Sequence, residues 1–444
     1  MLEIFMEQAV AFGLFWGIWL LVPLLVDVFT AMVYFFSFLT HRKEVLPKKA
    51  DLDFYPYVTV VVPVHNSEKT LYKCLKSVAE QSYPREYIQV FCINNGSQDS
   101  SFEEFNRFQH EYPQVLASWF SMDRAGKSIA LNAGIYGGRG SYIMNIDADT
   151  WLDRDAILNV VKVFEGNPSL AAATGSVRVD KVPGEGSDFI DIINYCEIIE
   201  YAVAFDVGRR YQNIANSIYT LSGAFSVFRQ DVILQSFLYQ TRTVSEDTDL
   251  TFNIRKNLED SPGRIGFIHD AVAYVEPIES LERLYSQRVR WQRGELEVVG
   301  VYYHTVPGVV GALRDFVGRL LISDHTLAFL RLSWTFLLPF LYLLGYPLAT
   351  LVVAMVGLFI CYFLLEVFNF FLAYKASEEK NRENLKKIWW IVFFLPFYRY
   401  LLYWFRFAGI IIGLMEEKSW KVKTPISQVR NAAEDLKRSF GQRW

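Results

Sequence analysis

The stretch YVTVVVPVH, residues 57–65, decides the fold class. Valine dominates it and no charge interrupts it, the pattern of a parallel strand buried on both faces. Working outward, SEKTLYKCLKSVAEQ (67–81) carries apolar residues at helical spacing, with Ser67 as its predicted N-cap. YIQVFCINNGSQD (87–99) reads as strand then turn, KSIALNAGIYG (127–137) as helix, and SYIMNIDAD (141–149) as strand again. Strand–helix alternation between residues 52 and 280 predicts an α/β fold with a mainly parallel sheet. In such sheets ligands bind beyond the carboxyl ends of the strands. INNGSQD and DADT both lie at such ends, so they can converge on one crevice.

The rest of the chain has a different character. Of 444 residues, 52% are hydrophobic and 16% aromatic, yet 21% are charged, which points to a soluble domain flanked by membrane segments. A net charge of −4 gives no footprint for nucleic acid, so no nucleic-acid partner is expected. The four cysteines and six histidines follow no metal-ligand or disulfide spacing, and the cysteines read as reduced. Residues 10–39 hold one acid, Asp27, and no base, long enough for a tilted or Pro23-kinked span. The run is too long for the core of a signal peptide and lacks a basic start, so it is expected to be retained. Arg42, Lys43, Lys48 and Lys49 follow it, placing residues 40 onward in the cytosol. A second apolar block, 327–374, is divided by GYP (345–347) and reads as two spans. Residues 388–414 are apolar but contain Pro396, Arg399 and Arg406. Basic flanks on both sides favour a re-entrant or interfacial segment over a single crossing.

The expected organisation is therefore an N-terminal membrane helix and basic flank (1–50), a cytosolic catalytic domain (51–280), interfacial amphipathic helices (281–326), two spans (327–374), and a loop, membrane segment and basic tail (375–444). That makes a multi-pass protein of the plasma membrane with its catalytic domain in the cytosol.

Several short motifs carry chemistry, each with a plain structural alternative. Asp147 and Asp149 stand two apart at a strand end and point the same way. Such a pair can hold Mg2+ or Mn2+ together with substrate phosphates, or simply form a turn. In SEDTDL (245–250), Asp247 is a candidate general base, while Ser245 and the acids equally suit a helix N-terminus. YSQRVRWQRG (285–294) is either an amphipathic helix at the lipid surface or a wall of the site, with arginine on diphosphate and Trp291 on a sugar ring. Lys127 lies beside a helix start, within reach of a phosphate. In LSGAFSVFR (221–229), Ser222, Gly223 and Ala224 are small enough for a ligand to approach closely, or mark a turn.

VVVPVHN, INNGSQD, GKSIALN, DADT, SGAFSVFR, SEDTDL and QRVRW occur in that order with membrane segments on both sides. This arrangement resembles the inverting family 2 glycosyltransferases with the GT-A fold, and within them the membrane polysaccharide synthases that make cellulose, hyaluronan, chitin and poly-N-acetylglucosamine. It is also similar to an exosortase-associated subgroup of Gram-positive bacteria. The resemblance covers residues 57–294 and the general plan of the flanking helices. It implies that Asp147 contacts the nucleotide, Asp149 the metal (Mg2+ or Mn2+), and that Asp247, with Glu246 beside it, is the catalytic base. Pro63, Asn94, Asn95, Lys127 and Arg290 would bind the nucleotide-sugar, a UDP-sugar by analogy. Ser222, Gly223, Gln287 and Trp291 would bind the acceptor. Asn94 and Asn95 stand where the family has an acid, which bears on the choice of base; Asp99 matches the later acid of that motif.

The resemblance implies inverting transfer to a glycan acceptor, with processive polysaccharide synthesis as the leading reading. Transfer of one sugar to a polyprenyl- or lipid-linked acceptor is the alternative, and an inactive nucleotide-binding scaffold the alternative of another class. The few predicted spans suggest a homo-oligomer or a partner membrane protein in the bilayer.

Overall fold

The computed structural model describes residues 22–40, 49–122, 126–181, 188–259, 261–302, 316–317, 332 and 340–415. Expectations for residues 10–21, for most of 303–339 and for the tail from 416 fall outside these.

Eight strands form one sheet: β1 (Val58–Val64), β2 (Ile88–Asn94), β3 (Leu116–Ser121), β4 (Tyr142–Ile146), β5 (Thr150–Leu152), β6 (Leu170–Val179), β7 (Phe225–Arg229) and β8 (Arg264–Val275). Their order is β3-β2-β1-β4-β7-β6-β8-β5. The half β3-β2-β1-β4 is parallel, with Val58 opposite both Ile88 and Tyr142. β7 then runs antiparallel to β4 and to β6, while β6 and β8 are parallel. The reversal fixes the site. The first residue of β7, Phe225, pairs with the last of β4, Ile146, so the turn before β7 meets the DAD turn after β4.

All seven residues of β1 are buried, as its composition demanded. Pro63, which lacks a donor, lies beyond the last β1–β4 pair (Val61 with Asn145), where it removes no bond from that ladder. Helices cover both faces. α1 (Val22–Thr40) precedes the sheet. α2 (Leu71–Ala79), α3 (Ser101–Glu111) and α5 (Ala156–Gly166) bury Leu71, Leu75, Phe105, Ile157 and Phe164 against one face. α4 (Lys127–Gly137) packs Ala130, Leu131 and Ile135 on the other, against Val61 and Ile93. α2 begins three residues later than expected. Ser67 accepts the Thr70 and Leu71 amides through its carbonyl in a preceding turn, and Thr70, not Ser67, is the N-cap.

A second helical layer follows. α6 (Phe189–Tyr201) passes through a π-helical turn, Ala202–Gly208, into α7 (Arg209–Ile214). After α8 (Gln230–Gln235) and α9 (Glu246–Asn257) comes α10 (Leu281–Tyr302), carrying QRVRW. The C-terminal part holds α11 (Leu348–Ala376), α12 (Glu379–Lys387) and α13 (Leu395–Met415). The GYP turn is real: Gly345 has φ +90° and Pro347 stands at the N-cap of α11. Among the described residues, α11 alone is long and apolar enough to cross a bilayer by length and composition, and most of its surface is open. Ile193 and Ile199 of α6 share one core with Leu385, Ile388, Leu395 and Leu402, joining the sheet domain to the C-terminal helices.

Candidate active site

The site begins with the turn after β4. The Thr150 amide donates to the Asp147 carbonyl at 3.0 Å, closing the turn with a backbone bond that uses neither aspartate side chain. Asp147 is half-buried and Asp149 open at the crevice mouth. The protein around Asp149 and the neighbouring Asp147 charge push its carboxyl above its ordinary range, against the pull of Lys127. Among the described residues no cluster of three or more acid, histidine or cysteine side chains forms a cation cage. The acidic pair would need further ligands from a substrate.

Lys127 opens α4 and reaches across to β4. Its ammonium lies 2.6 Å from Asp147 Oδ1 and 3.6 Å from Glu246 Oε1. Burial pulls Lys127 down, but Asp147 and then Glu246 outweigh it and hold the ammonium above its ordinary value. Burial in turn pushes the Glu246 carboxyl up, with Lys127 opposing. Glu246 and Asp247 start α9, where acids suit the helix N-terminus. Ser245 occupies the N-cap but makes no side-chain capping bond. The Gly223 amide donates to Asp247 Oδ2 at 3.1 Å, and the Thr248 amide to Oδ1 at 2.8 Å. Behind it, the Asn145 amide donates to the Gly223 carbonyl at 2.9 Å. Five candidates from four separate stretches thus meet: Lys127, Asp147, Gly223, Glu246 and Asp247. Ser222 lies at the edge of the same turn, its amide donating to Thr174 Oγ1 at 3.3 Å.

The asparagines sit at the carboxyl end of β2, as expected, but they build the loop. Asn94 Oδ1 accepts the Ser97 amide at 2.9 Å, and Asn95 Oδ1 accepts the amide of Gly126, just before Lys127. Asp99 braces the same loop, taking the Glu68 amide at 2.9 Å and the Ser101 hydroxyl at 2.6 Å. Pro63 lies next to them on β1, opposite Ile93.

Two arginines of YSQRVRWQRG, Arg288 and Arg293, turn into the protein. Arg288 is buried, 2.8 Å from Glu200 and 3.3 Å from Glu197 on α6, with its guanidinium 4.4 Å from the Trp291 ring centre. Arg293 is buried beside Glu297 at 2.9 Å. Trp291 and Arg290 are half-buried, Trp291 meeting Phe205 edge to face, while the buried Gln287 Oε1 has no hydrogen-bond partner among the described residues. Glu197 and Glu200 escaped the sequence reading. Their signal was present in YCEIIEYAV, acids inside an apolar run, the cue that singled out Asp147.

Residues 59–237 match the model of glycosyl transferase family 2. The chain carries a family 2 glycosyl transferase domain. Poly-β-1,6-N-acetyl-D-glucosamine synthase of Staphylococcus aureus is 26% identical over 289 residues, 64% of this chain and 66% of that protein. The namesake of Staphylococcus epidermidis is 28% identical over 269 residues, 61% of this chain and 62% of that one. The match thus spans just under two thirds of these relatives' length. A mannosyltransferase of Pyrobaculum calidifontis, solved with GDP-mannose and Mn2+, superposes over 89% of this chain and 100% of its own at 16% identity and a TM-score of 0.54, which shows that the glycosyl transferase domain has the GT-A fold.

Proposed function

We propose that the glycosyl transferase domain moves a sugar from a nucleotide-sugar to a glycan hydroxyl with inversion, in polysaccharide synthesis at the membrane. The observation that carries this is the meeting of Lys127, Asp147, Gly223, Glu246 and Asp247 at the end of β4. The synthase names of the staphylococcal relatives support the polymer product.

In this reading Asp247 takes the proton of the acceptor hydroxyl, whose oxygen then attacks the anomeric carbon as the nucleoside diphosphate departs. The Gly223 amide holds the Asp247 carboxylate in one orientation, and Glu246 holds Lys127. Lys127 and Arg290 meet the charge growing on the diphosphate. Asp147 and Asp149 fit Mg2+ or Mn2+, because a two-carboxylate site of this kind draws its remaining ligands from phosphates. Such a cation offsets leaving-group charge when bound. Pro63, Asn94 and Asn95 line the base end, on the nucleotide side; a UDP-sugar is the donor expected. Gln287, its amide oxygen unpartnered among the described residues, and Trp291 face the acceptor with Ser222.

The test is a screen of radiolabelled nucleotide-sugars with membranes containing the protein, followed by donor titration calorimetry on two variants. Asp149→Asn should lose metal-dependent donor binding. Asp247→Asn should bind donor as the parent does but transfer no sugar. Equal, intact binding and transfer in both would overturn the assignment, and no nucleoside diphosphate from any donor would favour a scaffold.

A further inference from the structure

The π-helical turn Ala202–Gly208 lies between α6 and α7. Such turns re-aim the side chains that follow and recur at functional sites. The first residue after it is Arg209, 3% exposed. Its neighbour Arg210 is neutralised, 2.8 Å from Asp206 and donating to the Ala376 carbonyl at 3.0 Å. Arg209 has no such partner: among the described residues no carboxylate pairs with it. One nitrogen, Nη1, donates to Gln212 Oε1 at 3.1 Å, and the guanidinium lies 5.4 Å from the Tyr219 ring and 6.0 Å from Phe205. A guanidinium has five N–H donors, and burying its charge without a counter-ion is costly.

The surroundings point to the crevice. Tyr219 stands on the segment that leads to Gly223. Phe205 meets Trp291 edge to face. Besides burial, Tyr219, Asp247, Tyr34 of α1 and Glu295 act on the Arg209 charge without an ion-pair contact, and the Tyr34 ring packs on Tyr211 at 5.4 Å. Lys127, the half-buried cation of the crevice, is already held by two acids.

We propose that Arg209 binds the acceptor, its remaining N–H groups donating to oxygen atoms of the acceptor end whose hydroxyl Asp247 deprotonates. This rests on the glycosyl-transfer reading above. The oxygens are those of a neutral glycan or of the phosphate on a lipid-linked sugar, and the test separates the two.

Full-length protein in lipid nanodiscs is given UDP-N-acetylglucosamine and either a β-1,6-linked N-acetylglucosamine pentasaccharide or a polyprenyl-phosphate-linked sugar. Arg209→Met should raise the acceptor KM about tenfold or more, as loss of a charged hydrogen bond does. Nucleoside diphosphate release without acceptor should stay within about twofold of the parent. The acceptor showing the larger effect identifies the oxygen source. Should the Met variant fail to fold, Arg209→Lys, which keeps the charge but loses the planar fork, carries the same comparison and should restore the KM in part. An unchanged KM with both acceptors overturns the proposal. So does acceptor-independent release that falls in step with transfer, which marks a structural role. A parent that releases no nucleoside diphosphate from any donor overturns the glycosyl-transfer reading instead, and this inference with it.

Discussion

Gly223 is the point on which the crevice closes. A Cβ there would sit 3.3 Å from Asp247 Oδ2, 3.5 Å from Lys127 Nζ and 3.9 Å from Asp147 Oδ2. The contact with Asp247 Oδ2 is tight, so a side chain here would push that carboxylate by a few tenths of an ångström off the amide that holds it. Gly223→Ala should therefore cut turnover roughly 10- to 100-fold, since sub-ångström misplacement of a catalytic group is expensive. The melting temperature should barely move. Steady-state rates and a thermal melt on the same preparation check this; a shifted melt with unchanged turnover would contradict it. At this scale the sequence is most informative. Acids at strand ends and a lysine at a helix start are legible, because burying a charge demands a partner. What each asparagine does is not legible. Asn94 and Asn95 give their side-chain oxygens to backbone amides, a use that only the fold around them reveals.

Between elements, Gly294 governs how α10 meets the start of α9. A Cβ on it would lie 1.9 Å from Ser245 Oγ and 2.9 Å from the Ser245 backbone nitrogen. Ser245 precedes Glu246 and Asp247, so the helix carrying QRVRW abuts the one carrying the proposed base. Glu297 reinforces the contact, accepting the Val244 amide at 2.9 Å. Gly294→Ala should lower stability by about 1–3 kcal/mol, the usual cost of overpacking. It should also reduce transfer, because the backbone must move two residues from Asp247. Unfolding and transfer measured together check this, and a variant matching the parent in both would refute it. At this scale the sequence told half. Helix 127–137 and the strands around 58–64 and 142–146 follow from their periodicity. The antiparallel insertion of β7 and the π-helical turn before Arg209 do not, because hydrophobic period reports which face is buried and not which strand lies alongside.

Across the whole molecule, a buried polar network ties the sheet domain to the C-terminal helices. Arg288 binds Glu197 and Glu200, the Tyr398 hydroxyl donates to Glu200 at 2.7 Å, and Arg399 pairs with the buried Glu366 of α11. Arg406 donates to Gln292 at 2.6 Å, so both arginines of α13 have protein partners. Burial pushes the Glu197 carboxyl from 4.5 up to about 7, Arg288 opposing and Glu200 adding to the rise. The folded state thus binds this proton more tightly than the unfolded chain. The associated stability is full below about pH 4.5 and is lost as pH rises towards 7, roughly 3 kcal/mol in all. Glu197→Gln, neutral at every pH, should flatten the fall in melting temperature between pH 5 and 8. Parallel slopes for the two proteins would show that Glu197 does not carry the effect.

The sequence by itself determined the α/β domain and the identity of the acids, because strand and helix periods and the cost of buried charge are local facts; the order of its motifs carried the GT-A resemblance. Tertiary structure alone decided which of those charges meet. It places Lys127 on Asp147 and Glu246, sets Asp247 on the Gly223 amide, turns Arg288 inward to α6, and leaves Arg209 without a paired carboxylate among the described residues. The reason is that a side chain's partner depends on where the reversed strand β7 and the helices after it return in space, which residue order does not encode locally.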